Sequence, residues 1–214
     1  MFREVEPVTS SPLMLISGEP GSGKTHLALT IAKEMRVYFL DSENRGEIVA
    51  NKSPYKKNIL YKPVSSYEEV REALGYIYKV EKEPVAILYD SGTDIQHFAE
   101  LHYKEVSKVE KIYPKVNWSH IYDLMDNVII PIRRSPHFLI VTSRMKEEYI
   151  NDSPTGKKTI KIYSRLPYWA DVILELEGPD KLIKLKKNGY GMTQEIDFPQ
   201  DTLSHILDKI KQLN

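Results

Sequence analysis

Leu13-Met14-Leu15-Ile16-Ser17-Gly18-Glu19-Pro20-Gly21-Ser22-Gly23-Lys24-Thr25 decides the fold. The residues before Gly18 form an apolar run that stops at a glycine, the pattern of a short strand buried on both faces. Gly18 to Thr25 then fits a phosphate loop: Gly, four residues, Gly-Lys-Thr. From Thr25 to Met35 the chain carries Leu27, Leu29, Ile31 and Ala32 among good helix formers. The bare pattern arises by chance in about one chain in a hundred of this length, but here a strand precedes it and a helix follows. Glycines let such a loop wrap so that its N–H groups point inward at the α- and β-phosphates, and the helix adds its positive dipole end. Gly18, Glu19, Pro20, Gly21, Ser22, Gly23, Lys24 and Thr25 are therefore the candidate nucleotide-binding residues. Lys24 would reach the β- and γ-phosphates, and the Thr25 hydroxyl would ligate Mg²⁺. No guanine-reading Asn-Lys-x-Asp occurs, which favours ATP.

Strands and helices alternate outward from this loop. Val37 to Leu40 reads as a second strand ending at Asp41, and Ile59-Leu60-Tyr61 as a short third. Ser66-Tyr67-Glu68-Glu69 is a capping box opening a helix with Tyr67, Val70, Leu74 and Ile77 at helical spacing, closed by Pro84. Val85 to Tyr89 is a buried strand ending at Asp90. Asn117 can cap a helix bearing Trp118, Ile121, Leu124, Met125, Val128 and Ile129, which Pro131 is expected to stop. Phe138 to Thr142 is another buried strand. Asn151 to Lys158 is polar and turn-rich, suited to a mobile loop or a hairpin tip. Val172 to Leu176, Leu182 to Lys186 and Met192 to Phe198 read as antiparallel strands joined by turns at Gly178-Pro179-Asp180 and Asn188-Gly189. Asp201 to Leu213 is an amphipathic helix on Leu203, Ile206, Leu207, Ile210 and Leu213. The expected fold is α/β, a mainly parallel sheet with a C-terminal antiparallel extension, in one domain over residues 1–214.

Composition bounds the function. In 214 residues, 30 Lys plus Arg face 30 Asp plus Glu, which excludes attachment to nucleic acid or membrane by bulk charge alone. The absence of Cys excludes thiol catalysis and a disulfide framework and fits a cytoplasmic setting. No basic, then apolar, start resembles a signal peptide, and no apolar run approaches the ~20 residues of a membrane span. The six His residues show no HExxH or paired-ligand spacing, so no catalytic zinc is expected.

Asp90 ends its strand where a phosphate-loop protein places the carboxylate that holds Mg²⁺ through water. Ser91 follows it, so there is no Asp-Glu pair to supply a base, which argues against the AAA-plus and helicase arrangements. Glu43, in Leu40-Asp41-Ser42-Glu43 at the exit of the next strand, is the best substitute; in a parallel sheet that exit shares an edge with the phosphate loop. A carboxylate there could deprotonate a water in line with the γ-phosphate. Asp41 competes for the role.

From Leu13 to about Phe198 these residues resemble the RecA-like ATPases, especially the small phage-type nucleotide-binding proteins that act in single-strand annealing and recombination. Phe39 to Glu43 is similar to the family's strand end bearing the catalytic glutamate, and Ile87 to Ser91 to its second nucleotide motif. Phe138 to Lys146 resembles the strand that leads from the γ-phosphate sensor into the DNA-binding loop, which implies Thr142 or Ser143 as sensor; of the two, Ser143 joins Glu43 and Lys24 as a candidate catalytic residue. Residues 144–166 become a candidate mobile DNA-binding loop, between an N-terminal arm (1–12), a β extension (170–198) and a C-terminal helix (201–214). Lys184 to Asn188 resembles the basic strand that reaches a neighbour's nucleotide, with Lys187 as the residue entering the site. The resemblance implies a homo-oligomer, ring or filament, with single-stranded DNA and recombination or single-strand-binding proteins as partners.

The charge is unevenly placed. Between Pro131 and Trp169, Arg133, Arg134, Arg144, Lys146, Lys157, Lys158, Lys161 and Arg165 face only Glu147, Glu148 and Asp152. Tyr149 and Tyr163 are available there to stack on bases. A DNA-coupled, Mg²⁺-dependent ATPase is the leading reading. A phosphate-loop kinase acting on a small molecule, or a nucleotide-switched binding module with incidental turnover, are the alternatives.

Overall fold

The computed structural model describes residues 12–108, 118–177, 182–188, 197–198 and 202–212. The strands are β1 (Leu13–Gly18), β2 (Val37–Asp41), β3 (Ile59–Pro63), β4 (Ala86–Asp90), β5 (Phe138–Ile150), β6 (Ser153–Lys161), β7 (Val172–Glu177), β8 (Leu182–Asn188) and β9 (Asp197–Phe198). The helices are α1 (Lys24–Leu29), α2 (Gly46–Lys52), α3 (Tyr67–Val80), α4 (Gly92–Ser107), α5 (Trp118–Arg133), α6 (Arg165–Trp169) and α7 (Leu203–Gln212). The helix expected from Thr25 to Met35 is α1 followed by a tighter 3₁₀ turn over Thr30–Lys33.

The strand order is β3-β2-β4-β5-β1-β7-β8-β9, with β6 paired to β5 alone. Strands from β3 to β7 run parallel, and β7, β8 and β9 pair antiparallel. The mainly parallel α/β sheet with its antiparallel extension is thus as expected. The extension is continuous with the sheet rather than appended, since β7 lies parallel beside β1 with Met14 opposite Val172.

Period-two alternation sorts the core into two layers. Leu13, Leu15, Leu40, Ile87, Tyr89, Leu139 and Val141 face α3, α4 and α5. Met14, Ile16, Val37, Phe39, Leu88, Ile140 and Leu174 face α1, Ala50 of α2, and α7. With both faces covered, β1, β2 and β4 are buried along their whole lengths. Among the described residues no helix is long and apolar enough to cross a membrane.

Several local expectations hold and others change. Ser66 Oγ accepts the Glu69 N–H at 3.2 Å, whereas the Glu69 carboxylate reaches Ser65 N at 2.6 Å, one residue before the cap. Pro131 does not stop α5, which runs two residues further. Burial of Ile129 and Ile132 continues the stripe across it, and Pro131 itself is on the exposed face. Of the alternatives for Asn151 to Lys158, a hairpin forms: β5 and β6 turn at Asn151 and Asp152, both with positive φ, 49° and 61°, the mark of a type I′ turn. The sequence pattern does not predict helices α2, α4 and α6. The Asn117 cap, the Gly178 to Asp180 turn, Gly189, most of Met192 to Phe198 and all but Pro12 of the N-terminal arm lie outside the described residues.

Candidate active site

Strands β1, β2 and β4 end at one edge of the sheet, β5 runs on past it, and the phosphate loop leaves β1 there. Gly23 caps α1 in the left-handed region, φ 93°, and Gly21 is also left-handed at φ 80°. A Cβ on Gly18 would lie 2.7 Å from Ser22 Oγ and 2.8 Å from the Leu176 carbonyl, so the loop closes against β7 only with glycine there. Lys24 Nζ folds back to donate to the carbonyls of Gly18 (3.0 Å) and Glu19 (2.9 Å). Burial lowers the Lys24 pKa from its ordinary value, and Asp90, Glu43 and Glu19 oppose that shift. Ser22 Oγ is buried and has no hydrogen-bond partner among the described residues. An orphaned donor, a retracted lysine and two left-handed glycines fit a loop that takes a polyphosphate.

Across the loop, Thr25 Oγ1 donates to Asp90 Oδ2 at 2.5 Å. Thr142 Oγ1 donates to Asp90 Oδ1. Asp90 is 5% exposed. Burial raises its pKa, Glu43 and Asp41 push the same way, and the two hydroxyls oppose. A divalent cation between Thr25 and Asp90 would hold that carboxylate ionised, so the donor set, a hydroxyl and a carboxylate, suits Mg²⁺ with water completing its shell.

Glu43 stands at the same edge because β2 and β4 end in register, Asp41 opposite Asp90. Ser42 ties the two exits together, its N–H donating to the Asp90 carbonyl at 2.7 Å and its Oγ accepting Ser91 N–H at 2.8 Å. Asp41 is fully buried and occupied: Oδ1 accepts Glu43 N–H (2.9 Å), and Oδ2 accepts Gly46 N–H (2.7 Å) and the Tyr61 hydroxyl (3.0 Å). Burial and Asp41 push the Tyr61 hydroxyl up to about 12. Asp41 is therefore the frame of the turn, and Glu43 is the carboxylate left to face the cleft.

Glu43 has a partner that no local pattern indicated. Arg144, the first residue of β5 beyond the sheet edge, donates to Glu43 Oε1 from Nε (3.1 Å) and Nη2 (2.8 Å), and Nη2 also meets Asp94 Oδ2 at 2.8 Å. Asp94 belongs to a cap on α4, Ser91 with Asp94 three residues on, which was legible in the sequence as a capping box.

Ser143 is not brought to this cluster. Side-chain alternation along β5 puts Thr142 on the α1 face with Asp90 and turns Ser143 to the α4 face, where its Oγ donates to the Lys161 carbonyl at 3.0 Å. Of the two sensor candidates, Thr142 is the one in contact with Asp90. Lys187 also lies away from its own chain's loop: register places it beside Ile173, toward the start of β7, with Nζ donating to the carbonyls of Pro167 (3.1 Å) and Tyr168 (2.7 Å).

The basic region divides. Lys146, Lys157, Lys158, Lys161 and Tyr149 are exposed on the hairpin. Tyr163, expected to stack on bases, is 2% exposed, packed on Tyr122 and Trp169 with its hydroxyl on Asp126. Arg165 pairs with Asp126 and Arg133 lies over Trp169, so both belong to that aromatic cluster instead.

A family model described as an AAA domain matches residues 11–195. No curated protein matches the sequence. Among solved structures, the RadB recombinase aligns with a TM-score of 0.55 at 18% identity, over 89% of this chain and 88% of that one. A KaiC-like protein from the hyperthermophilic archaeon Pyrococcus horikoshii OT3 aligns with a TM-score of 0.56 at 14% identity, over 90% and 86%. These likenesses establish the RecA-like fold.

Proposed function

As the chain belongs to the AAA-domain family, we propose that it is a Mg²⁺-dependent ATPase that couples nucleotide turnover to single-stranded DNA in recombination, annealing or replication. The lack of an Asp-Glu pair at Asp90-Ser91, read in the sequence against an AAA-plus arrangement, does not keep the chain out of this family; the base comes from the neighbouring strand exit instead.

The contact between Thr25 Oγ1 and Asp90 Oδ2 carries the nucleotide half of the reading. It joins the residue that closes the phosphate loop to the strand-end carboxylate, the two groups that share a magnesium ion in phosphate-loop proteins. Magnesium bound there would neutralise charge on the β- and γ-phosphate oxygens. Lys24 would exchange the Gly18 and Glu19 carbonyls for phosphate oxygens. Glu43, held by its backbone N–H on Asp41, would orient a water and accept its proton.

The DNA half is supported by the hairpin, where four exposed lysines and the exposed Tyr149 project beyond the same edge. The structural relative RadB is a recombinase, which points the same way. Oligomerisation into a ring or filament belongs to this reading, with Lys187 leaving its own carbonyls to enter a neighbour's site.

Lys24→Ala tests the first half: ATP hydrolysis should vanish, and normal turnover would refute it. The second half requires that single-stranded DNA bind with ATP present and alter turnover. Transfer of γ-phosphate label to a small acceptor rather than to water would mark a kinase instead.

A further inference from the structure

Two cations from the β5–β6 hairpin return to the nucleotide edge, and they are held very differently. Arg144 is gripped by two carboxylates, Glu43 and Asp94. Lys158 pairs with one, Glu19, and both side chains of that pair are about half exposed. The route is dictated by topology: β5 lies beside β1, Ser143 opposite Ser17, so any continuation of β5 runs alongside the loop that continues β1. The return strand β6, with Lys158 opposite Glu147, then delivers its lysine to the second residue of the phosphate loop.

Glu19 is an unusual neighbour for a polyphosphate. Its carboxylate adds negative charge to a loop shaped to bind more of it, and its carbonyl holds Lys24 at 2.9 Å. Two lysines thus converge on one residue. When a triphosphate enters and draws Lys24 away, the Glu19 carboxylate and the terminal phosphate compete for the remaining cation. An exposed carboxylate–lysine pair is weak, and a phosphate carries more charge and more acceptor oxygens.

We infer that Lys158 is a second phosphate-binding lysine, supplied by the hairpin of the same chain, which exchanges Glu19 for the terminal phosphate of a bound nucleoside triphosphate. The inference rests on the nucleotide reading of the loop and adds to it a direct tie between the γ-phosphate and the hairpin. A diphosphate leaves Lys158 on Glu19; a triphosphate moves it.

The test is equilibrium binding of a non-hydrolysable ATP analogue and of ADP, each with Mg²⁺, to the wild type and to Lys158→Ala, Lys158→Arg and Lys24→Ala. Lys158→Ala should weaken the triphosphate analogue about tenfold and ADP less than about twofold, and Lys158→Arg should recover most of the loss. Glu19→Gln should tighten the triphosphate analogue, since it removes both the competitor and the repulsion. Equal weakening of both nucleotides, or an unchanged ratio between them, in Lys158→Ala overturns the inference. If Lys24→Ala has lost nucleotide affinity in that same experiment, the phosphate-loop reading stands and only the role of Lys158 falls. Normal affinity in Lys24→Ala overturns both. Lys158 is exposed, so its variants should melt with the wild type.

Discussion

Arg144 and Glu43, 101 residues apart, meet through two hydrogen bonds to a single carboxylate oxygen, at 3.1 and 2.8 Å. Glu43 Oε1 is thereby fixed at the mouth of the loop, and Oε2 has no protein partner among the hydrogen bonds of the described residues. If Glu43 is the base, Glu43→Gln should bind ATP normally and lose about 10²- to 10⁴-fold in turnover. Arg144→Ala, which unties Glu43 and also leaves Asp94 without this ion pair, should lose less, about tenfold in kcat with KM within twofold, and under ~1 kcal/mol in stability because the groups are partly exposed. Steady-state kinetics and thermal melts check both; turnover in Glu43→Gln within a few fold of wild type would remove Glu43 from the mechanism.

The turn beneath Glu43 should separate frame from chemistry. A Cβ on Gly46 would fall 2.2 Å from Phe39 Cζ and 3.1 Å from Asp41 Oδ2, so Gly46→Ala must push the ring or the turn aside. We expect a loss of about 1–3 kcal/mol, which for a chain of this size is a drop of roughly 2–12 °C in Tm. Asp41→Asn, which leaves one or two of the three donors without a carboxylate oxygen, should fall in the same range. Both should lose turnover and stability together, unlike Glu43→Gln, which should melt with the wild type. A stable, inactive Asp41→Asn would return Asp41 to contention as the base.

The parts of this architecture legible in the sequence are those where one residue type has one physical meaning. Leu13 to Ser17, Val37 to Leu40 and Val85 to Tyr89 are continuous apolar runs because helices cover both faces of the sheet. The phosphate loop announces itself because left-handed backbone at Gly21 and Gly23 calls for glycine. Helix α4 is hard to read because Gln96, His97, Glu100 and His102 interrupt a stripe of Ile95, Phe98, Ala99 and Tyr103 that packs on the core. Tyr163 sits between Lys161 and Arg165 and reads as surface; its burial depends on Tyr122 and Trp169 arriving from other elements. Which of Thr142 and Ser143 shares a face with Asp90 is legible from parity along β5, once Ile140 is assigned to the α1 face. The Arg144 contact to Glu43 was not, because nothing local links positions so far apart.

His137 gives a pH dependence independent of the nucleotide site. It is 4% exposed, stacked on Tyr78 at 5.7 Å, and its Nδ1 has no hydrogen-bond partner among the described residues. Burial lowers its pKa below 6.5, and Glu81, the charged group facing it, opposes that shift. A folded state that resists protonating His137 loses stability as pH falls from about 6.5 through the depressed folded value, because the unfolded chain takes up the proton first; above 6.5 the effect is absent. His137→Phe should flatten this acid limb, by no more than about 1.4 kcal/mol per pH unit. Melting curves of both proteins between pH 7.5 and 5 on the order of every half unit would show it; parallel curves would mean that His137 titrates alike in both states.

The zero net charge makes the last expectation demanding. Bulk charge gives no affinity for DNA, so the proposed function assigns the contact to the hairpin, where Lys146, Lys157, Lys158 and Lys161 are exposed on one projecting element. Each lysine that neutralises a phosphate of a single strand contributes about −0.7 to the slope of log affinity against log salt. Lys146→Ala combined with Lys157→Ala should therefore reduce that slope by about 1.4 and weaken binding to all sequences alike. Neither substitution touches a residue of the phosphate loop, so DNA-free ATP turnover should be unchanged. If Lys158 leaves Glu19 only for a triphosphate, the hairpin is repositioned by ATP, and wild-type affinity for DNA should be higher with the non-hydrolysable analogue than with ADP. A salt slope that ignores the two lysines would place any DNA contact elsewhere and leave the hairpin to serve the nucleotide alone.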